Sequence, residues 1–325
     1  MPSLTCSVCF PVVRTTPQLL QAISSSFNGS VQPAQLIIVD QSRNPDIKKF
    51  LTPLLTIHKY SSSIIYLETS ISGLVYAKTV ATACCTSDIL VYGEDDLIFP
   101  PDYLSELIIF FITNPTQVGC CCLIKEAPFS IVQSLKHLLL RSSPVLHDRR
   151  QFLSRRALPS TQPVLCSKLY GGSSAWRLAT LKSVRFNLDL VLHYTEDIYY
   201  SMTVNKVLGY PCTSILTHVS SIHSSTTNTN RYNFHIFRQR LYEQYVLART
   251  FDNSAISTLW SYTILLTLYL LEVLVKAPLL KKASLSLAIF LALIDSLFPL
   301  YKYHTTFGPP SPKNNDPYPV NVSTY

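Results

Sequence analysis

The sequence predicts an α/β fold with a mostly parallel central sheet flanked by helices. Three observations predict it. Short β-branched apolar runs alternate with helical segments over the first 125 residues. The lengths suit βαβ units, whose crossovers set neighbouring strands parallel. Acidic residues fall at the carboxyl ends of two of these strands, the edge at which such sheets bind ligands.

The elements follow in chain order. "LTCSVCF" reads as a strand, and "TPQLLQAISSSF" as a helix with Pro17 in its first turn. "AQLIIVD" is a buried strand ending in Asp40, and "NPDIKKFLTPLL" begins as a helix. "SIIYLE", "DILVYG" and "VGCCCLIK" are strands, separated by the helices "GLVYAKTVATACC" and "PDYLSELIIFFI". Residues 126–162 are less regular and hold Arg141, Arg149, Arg150, Arg155 and Arg156, either a solvated loop or an anion site. Order returns with "LYGGSSAWR" and "ATLKSV". Then "TEDIYYSMTVNKVLGY" forms a helix with Thr195 at its N-cap, acids in its first turn and Gly209 at its end. "CTSILTH" is a strand ending in His218, and "NFHIFRQRLYEQYVLART" is a basic, aromatic helix.

Beyond residue 250 the texture changes. Two apolar segments, 255–275 and 283–300, are split by "KAPLLKK". The first is near the roughly 20 residues that a span needs, but it carries several Ser/Thr and Glu272, and the second contains Asp295. A helical hairpin over 251–303 is expected. It either lies in the interface of an anionic leaflet or packs on protein. The Pro- and Asn-rich tail, 304–325, is expected to be disordered.

Composition sets bounds. The 325 residues are 47 % hydrophobic with mean hydropathy +0.22, enough for a sizeable core with apolar surface to spare. The net charge of +8 suits anionic partners. No long Lys/Arg block or RNA-binding aromatic signature is present, so nucleic acid is not an expected partner. The nine cysteines are odd in number and partly contiguous, and Cys6 and Cys9 would point to opposite faces of one strand. Buried reduced thiols, and hence a cytoplasmic setting, are expected. "MPSLTCSVCF" has no basic n-region, so no signal peptide is expected.

The chemistry concentrates in three places. Glu94, Asp95 and Asp96 stand side by side after an apolar strand, in a chain with only 19 acidic residues. Adjacent carboxylates repel. A Mg2+ or Mn2+ ion would relieve that repulsion, taking one or two carboxylates and completing its shell with water and substrate phosphate. The other reading is an acid cluster ahead of the helix "PDYLSEL", a role that Asp102 already fills. Asp40 is either a turn residue or a ligand contact. Glu196 and Asp197 either complement a helix dipole or supply a general base. The glycine pair Gly171-Gly172, about 25 residues earlier, adds weight to the second reading.

In that order, "CSVCFPVVRTTPQLLQAISS", "LIIVDQS", "SISGLVYAKTVATACCTSDILVYGEDDLIFPPDYL", "GGSSAWR" and "TEDIYYSMTVNKVLGY" resemble family 2 of the nucleotide-sugar glycosyltransferases. The resemblance spans about Leu4 to Arg249. It implies a GT-A fold over 1–250, with 1–125 the nucleotide-binding half and 126–250 the acceptor and base half. By resemblance, Pro11, Val12 and Arg14 receive the nucleotide, Asp40 contacts the nucleobase, and Lys78 and Glu94 belong to the donor site. Asp95 and Asp96 would hold ribose and the metal-bound diphosphate, with His218 near the metal. Gly171, Gly172 and Trp176 would open the acceptor region, and Asp197, beside Glu196, would be the base. The implied reaction is metal-dependent, inverting transfer of one sugar from a nucleoside-diphosphate sugar to a glycan or lipid-linked acceptor, at the cytoplasmic face of a membrane.

Three departures stand out. Glu94 replaces the family's usual first aspartate. "SVRFNLDL" replaces its Gly-Phe-Asp segment. The Gln-x-x-Arg-Trp motif of processive synthases is lacking. A nucleotidyltransferase is the rival enzyme, but "FPVVRTTPQ" lacks the glycines of a triphosphate loop. A glycan-binding protein that kept the fold is the non-catalytic rival.

Overall fold

The computed structural model describes residues 4–13, 16–44, 46–55, 63–125, 134–135, 138–140, 143, 145–155, 162–188, 190, 192–223, 233–252, 254–297 and 321–324. They form two compact units. One comprises described residues within 1–125, 158–225 and 305–325. The other comprises those within 126–157 and 226–304. The sequence reading placed its boundary near 250, whereas "NFHIFRQRLYEQYVLART" groups with the apolar helices.

The first unit is built on a ten-stranded sheet. Its strands are β1 (Cys6–Val12), β2 (Gln35–Asp40), β3 (Ser63–Glu68), β4 (Ile89–Tyr92), β5 (Leu97–Ile98), β6 (Gly119–Ile124), β7 (Val164–Leu165), β8 (Ser174–Arg177), β9 (Thr213–His223) and β10 (Asn321–Thr324). The order is β10-β3-β2-β1-β4-β8-β6-β9-β5, with β7 also on β9. Strands β3, β2, β1 and β4 run parallel, as the βαβ texture requires. Strands β1, β2 and β4 are buried on both faces: Val8, Phe10, Ile37, Ile38, Leu90 and Val91 have essentially no exposed surface. Each such side chain contributes about 1.5–3 kcal/mol by leaving water.

The sheet is more mixed than the sequence implied. Strand β8 lies antiparallel between β4 and β6. Four residues, "SAWR", are too few for a periodic signal. Strand β10 lies antiparallel on β3 within the segment expected to be disordered. The open edge of β3 offers unpaired N–H and C=O groups, and local composition carries no sign of such a partner.

Helices α1 (Pro17–Ser25), α2 (Asp46–Leu55), α3 (Leu74–Cys84), α4 (Tyr103–Thr113), α6 (Leu178–Ser183) and α7 (Glu196–Leu208) belong to this unit, and α5 (Arg149–Arg155) to the other. Thr16 caps α1 by accepting the Leu19 N–H, and Gly209, at φ 75°, ends α7. Thr195 stands at the N-cap of α7, but its hydroxyl makes no capping bond. Of the arginine cluster, Arg141 and Arg156 lie outside the described residues. Arg150 is buried and forked onto Asp148, at 3.0 and 3.1 Å, so it is not a solvated loop residue.

The second unit also holds α8 (Phe234–Phe251), α9 (Ala255–Lys276) and α10 (Leu279–Leu297). Ala255–Val275 is one described helix long and apolar enough to cross a membrane. All nine cysteines are thiols, eight of them buried.

Candidate active site

Topology gathers the site. Because β1, β2 and β4 are parallel neighbours, their carboxyl ends share one edge. Because β8 is antiparallel to β4, its amino end reaches the same edge and carries the turn Gly171–Ser173 with it. Three segments distant in sequence therefore meet: the ends of β1 and β2, the acidic turn after β4, and the glycine turn before β8.

On the first side, Val12 and Asp40 are register partners, and the Gln41 N–H donates to the Val12 carbonyl at 2.8 Å. Asp40 is buried. Its carboxylate accepts the Ser42 N–H at 2.8 Å and the hydroxyl of Tyr66 on β3. Tyr66 went unseen in the sequence, where it reads as one more residue of a buried strand. Pro11 is part-buried in β1 and Val13, just beyond, is exposed. Arg14 lies outside the described residues.

The centre is a charge cluster around Lys78. Gly73, at φ 139°, turns the chain into α3, in a conformation open to glycine and strained for other residues. Lys78 is the only charged residue of that helix, and it points inward. Its Nζ lies 5.4 Å from the centroid of the Tyr92 ring and 3.0 Å from Glu196 Oε1. The two side chains are only 4 % and 6 % exposed. Burial pulls the Lys78 ammonium down, but Glu196, Asp197 and Glu94 together outweigh it, so its pKa is raised. Burial also raises the carboxyl of Glu196, against the pull of Lys78.

Glu94 lies against the glycine turn. A Cβ on Gly172 would come within 2.3 Å of the Glu94 carboxyl carbon, so only glycine lets the two segments approach this closely. A Cβ on Gly171 would meet Lys78 Nζ at 3.1 Å and Glu196 Oε1 at 3.2 Å. Burial pushes the Glu94 carboxyl up to about 8; Lys78 opposes the rise, and Glu196, Asp96 and Asp197 add to it. The Gly171 N–H donates to Asp197 Oδ2 at 3.0 Å. Glu196 and Asp197, about 100° apart on the helix, thus divide their duties. Glu196 turns inward to Lys78. Asp197 is less buried and also lines a small cavity with Tyr92, Phe186 and Tyr200.

Asp95 and Asp96 form the turn between β4 and β5 and are part-buried. Among the described residues, no three His, Cys, Asp or Glu side chains assemble a metal cage. The donor set still fits Mg2+ or Mn2+. Such an ion takes one or two hard carboxylate oxygens from protein and the rest from phosphate and water, and Asp95 and Asp96 offer those carboxylates beside the surplus negative charge around Glu94.

Two expected residues have other surroundings than the sequence suggested. The β6–β9 ladder slips between Cys122 and Leu123, leaving Thr217, His218 and Val219 as a bulge. There His218 Nε2 meets Glu106 Oε2 of α4 at 3.0 Å instead of joining the acidic turn. The strand continues to His223, which the β5–β9 register sets opposite Leu97, next to Asp96 in sequence. Trp176, expected at the acceptor, is 2 % exposed within β8 and borders the small cavity of Lys78 and Asp197 from the core side. It packs edge-on to Tyr200 at 4.9 Å and against Gly119, where a Cβ would lie 2.6 Å from its ring. An indole flanked by sheet on both sides is a core residue.

Comparison with known proteins bears on this geometry. The model of "Glycosyl transferase family 2" matches residues 7–167. No curated protein matches the chain. Among solved structures, the mannosyltransferase PcManGT from Pyrobaculum calidifontis, in complex with GDP-Man and Mn2+, superposes with TM-score 0.59 at 12 % identity, covering 92 % of this chain and 88 % of that one. S. aureus TarS 1-349 in complex with UDP-GlcNAc gives 0.55 at 13 %, covering 90 % and 81 %. GalNAc-T7 with UDP, GalNAc and Mn2+ gives 0.55 at 11 %, covering 74 % of this chain and 47 % of that one. At these identities the superpositions establish the fold alone, and the family match adds the sequence. Through residues 7–167, the chain belongs to glycosyl transferase family 2 and is a glycosyltransferase with the GT-A fold.

Proposed function

We propose that this enzyme moves one sugar from a nucleoside-diphosphate sugar to an acceptor hydroxyl, with inversion and with Mg2+ or Mn2+. The observation that carries this reading is the convergence of Asp40, the Glu94–Asp96 turn and Asp197 on one sheet edge, held around the buried Lys78–Glu196 pair. Asp40, fixed by Tyr66 and Ser42, recognises the base of the nucleotide. Asp95 and Asp96 hold the ribose and the metal. The metal, when bound, neutralises the charge that develops on the leaving diphosphate. Asp197, oriented by the Gly171 N–H, takes the proton from the acceptor hydroxyl as it attacks the anomeric carbon from the face opposite the nucleotide. Glu196 neutralises Lys78 and leaves the proton to its neighbour. The acceptor is a glycan or a lipid-linked sugar. The GDP-Man and UDP-GlcNAc held by the structural neighbours make those two donors the first to try.

The test is incubation with nucleotide sugars, Mn2+ and candidate acceptors, reading the released nucleotide and the anomeric configuration of the product. Release of nucleoside diphosphate with an inverted linkage supports the reading. Pyrophosphate release points to nucleotidyl transfer, and a retained configuration refutes inversion. The absence of metal-dependent nucleotide binding by calorimetry would leave a glycan-binding protein on this fold.

A further inference from the structure

Helix α9 has its polarity reversed. In a water-soluble protein, the polar residues of a surface helix face outward. Here Thr258, Ser261 and Glu272 are buried, while the outward face carries Ile256, Leu259, Trp260, Leu271, Leu274 and Val275, with only the small polar Ser257 and Thr267 among them. Ile256 is 82 % exposed, and Trp260 and Val275 are each 69 % exposed. Three- and four-residue steps join them at each end, and the eleven residues from Trp260 to Leu271 complete about three turns, so both groups lie on one side of the helix. Helix α10 exposes Leu279, Leu287 and Phe290 as well. An apolar surface this long is costly in water and marks a binding face.

The orientation of α9 is fixed by its inner face. The Tyr262 hydroxyl donates to the Leu241 carbonyl of α8 at 2.8 Å, Tyr245 packs on Tyr262, and Phe237 meets Tyr269 edge-on at 5.7 Å. Helix α8 is polar, with Gln239 donating to Glu243 in the interior at 2.7 Å. A helix laid along such a partner does not cross a bilayer, although Ala255–Val275 is long enough to do so. It can lie along one, with one face on protein and the other in lipid.

Charge identifies the lipid. Lys281 and Lys282 sit in the first turn of α10, next to the apolar stripe. Cations at a helix N-terminus oppose its dipole, so the helix itself gains nothing from them. Glu272, the acidic residue of α9, is buried, so the outward face of that helix carries no negative charge. An apolar stripe with flanking lysines and a tryptophan complements the interface of an anionic membrane.

We propose that the outward face of α9 and α10 docks on an anionic lipid surface, with both helices in the plane of the interface. Membrane docking is independent of the transfer chemistry, and its test uses neither donor nor acceptor. The full-length protein is floated with vesicles of phosphatidylcholine alone and with phosphatidylcholine plus phosphatidylglycerol. Binding should be strong to the anionic vesicles and at least about tenfold weaker to the neutral ones. Of the two tryptophans, Trp176 is in the core, so a blue shift of emission on binding reports Trp260. Trp260→Glu with Leu271→Glu should abolish flotation while leaving the circular dichroism unchanged, because both side chains face outward. Lys281→Gln with Lys282→Gln should weaken binding to anionic vesicles by roughly 30-fold, as the loss of two surface charges would. No flotation on either vesicle overturns the proposal. So does a stable dimer in sedimentation that Trp260→Glu converts to monomer, since the face would then belong to a second copy of the chain.

Discussion

At the scale of single residues, the structure gives the adjacent acids Glu196 and Asp197 different surroundings. Asp197→Asn keeps the size and the Gly171 contact but removes the basic oxygen. It should lower kcat by about 10²-fold or more, with donor binding and stability near wild type. Glu196→Gln should behave differently. It leaves Lys78 buried without its counter-charge and should cost about 3–5 kcal/mol of stability in urea titration. Stability losses of equal size in both variants would contradict the division of roles. Glu94 gives a pH signature. The folded side chain holds its proton up to about pH 8, whereas an unfolded one releases it near 4.5. The native state therefore binds more protons in that window, and the metal-free protein should lose stability as pH rises from about 5 to 8. Urea titrations across that range should show the slope in wild type and a reduced slope in Glu94→Gln.

At the scale of elements, the glycine turn before β8 sets how close the acidic turn can come. Gly172→Ala would push against the end of the flexible Glu94 side chain, not against backbone. Activity should fall severalfold while the melting temperature moves little; a large loss of stability would show that the turn, not Glu94, is what gives. The parallel strands and their helices were legible in the sequence because each strand is an apolar run set between helix-length segments. Strands β5, β7, β8 and β10 were not: two to four residues carry no period, and their pairing is set by partners far along the chain. The bulge in β9 was invisible for the same reason, and it is what diverts His218 to Glu106.

At the scale of the molecule, the eight buried thiols act as small apolar side chains. Burial pushes Cys6 up to about 12 and Cys212 up to about 11, so neither forms a reactive thiolate near neutral pH. Titration with an aromatic disulfide should find at most one fast thiol in the native protein, part-buried Cys84, and nine in denaturant. Several fast native thiols would contradict this packing.

The sequence by itself determined the α/β class, the parallel half of the sheet, the family, and the two acidic segments of the candidate site. Each of these is written in a local period or a short run of residues. The tertiary structure decided what those residues meet. It brought Gly172 under Glu94 across 78 positions of sequence, paired Lys78 with Glu196 and left Asp197 to face the ligand edge. It also buried Trp176 and turned the apolar side of α9 outward. Such outcomes depend on burial and on which charges meet in low dielectric, and both are properties of the assembled core.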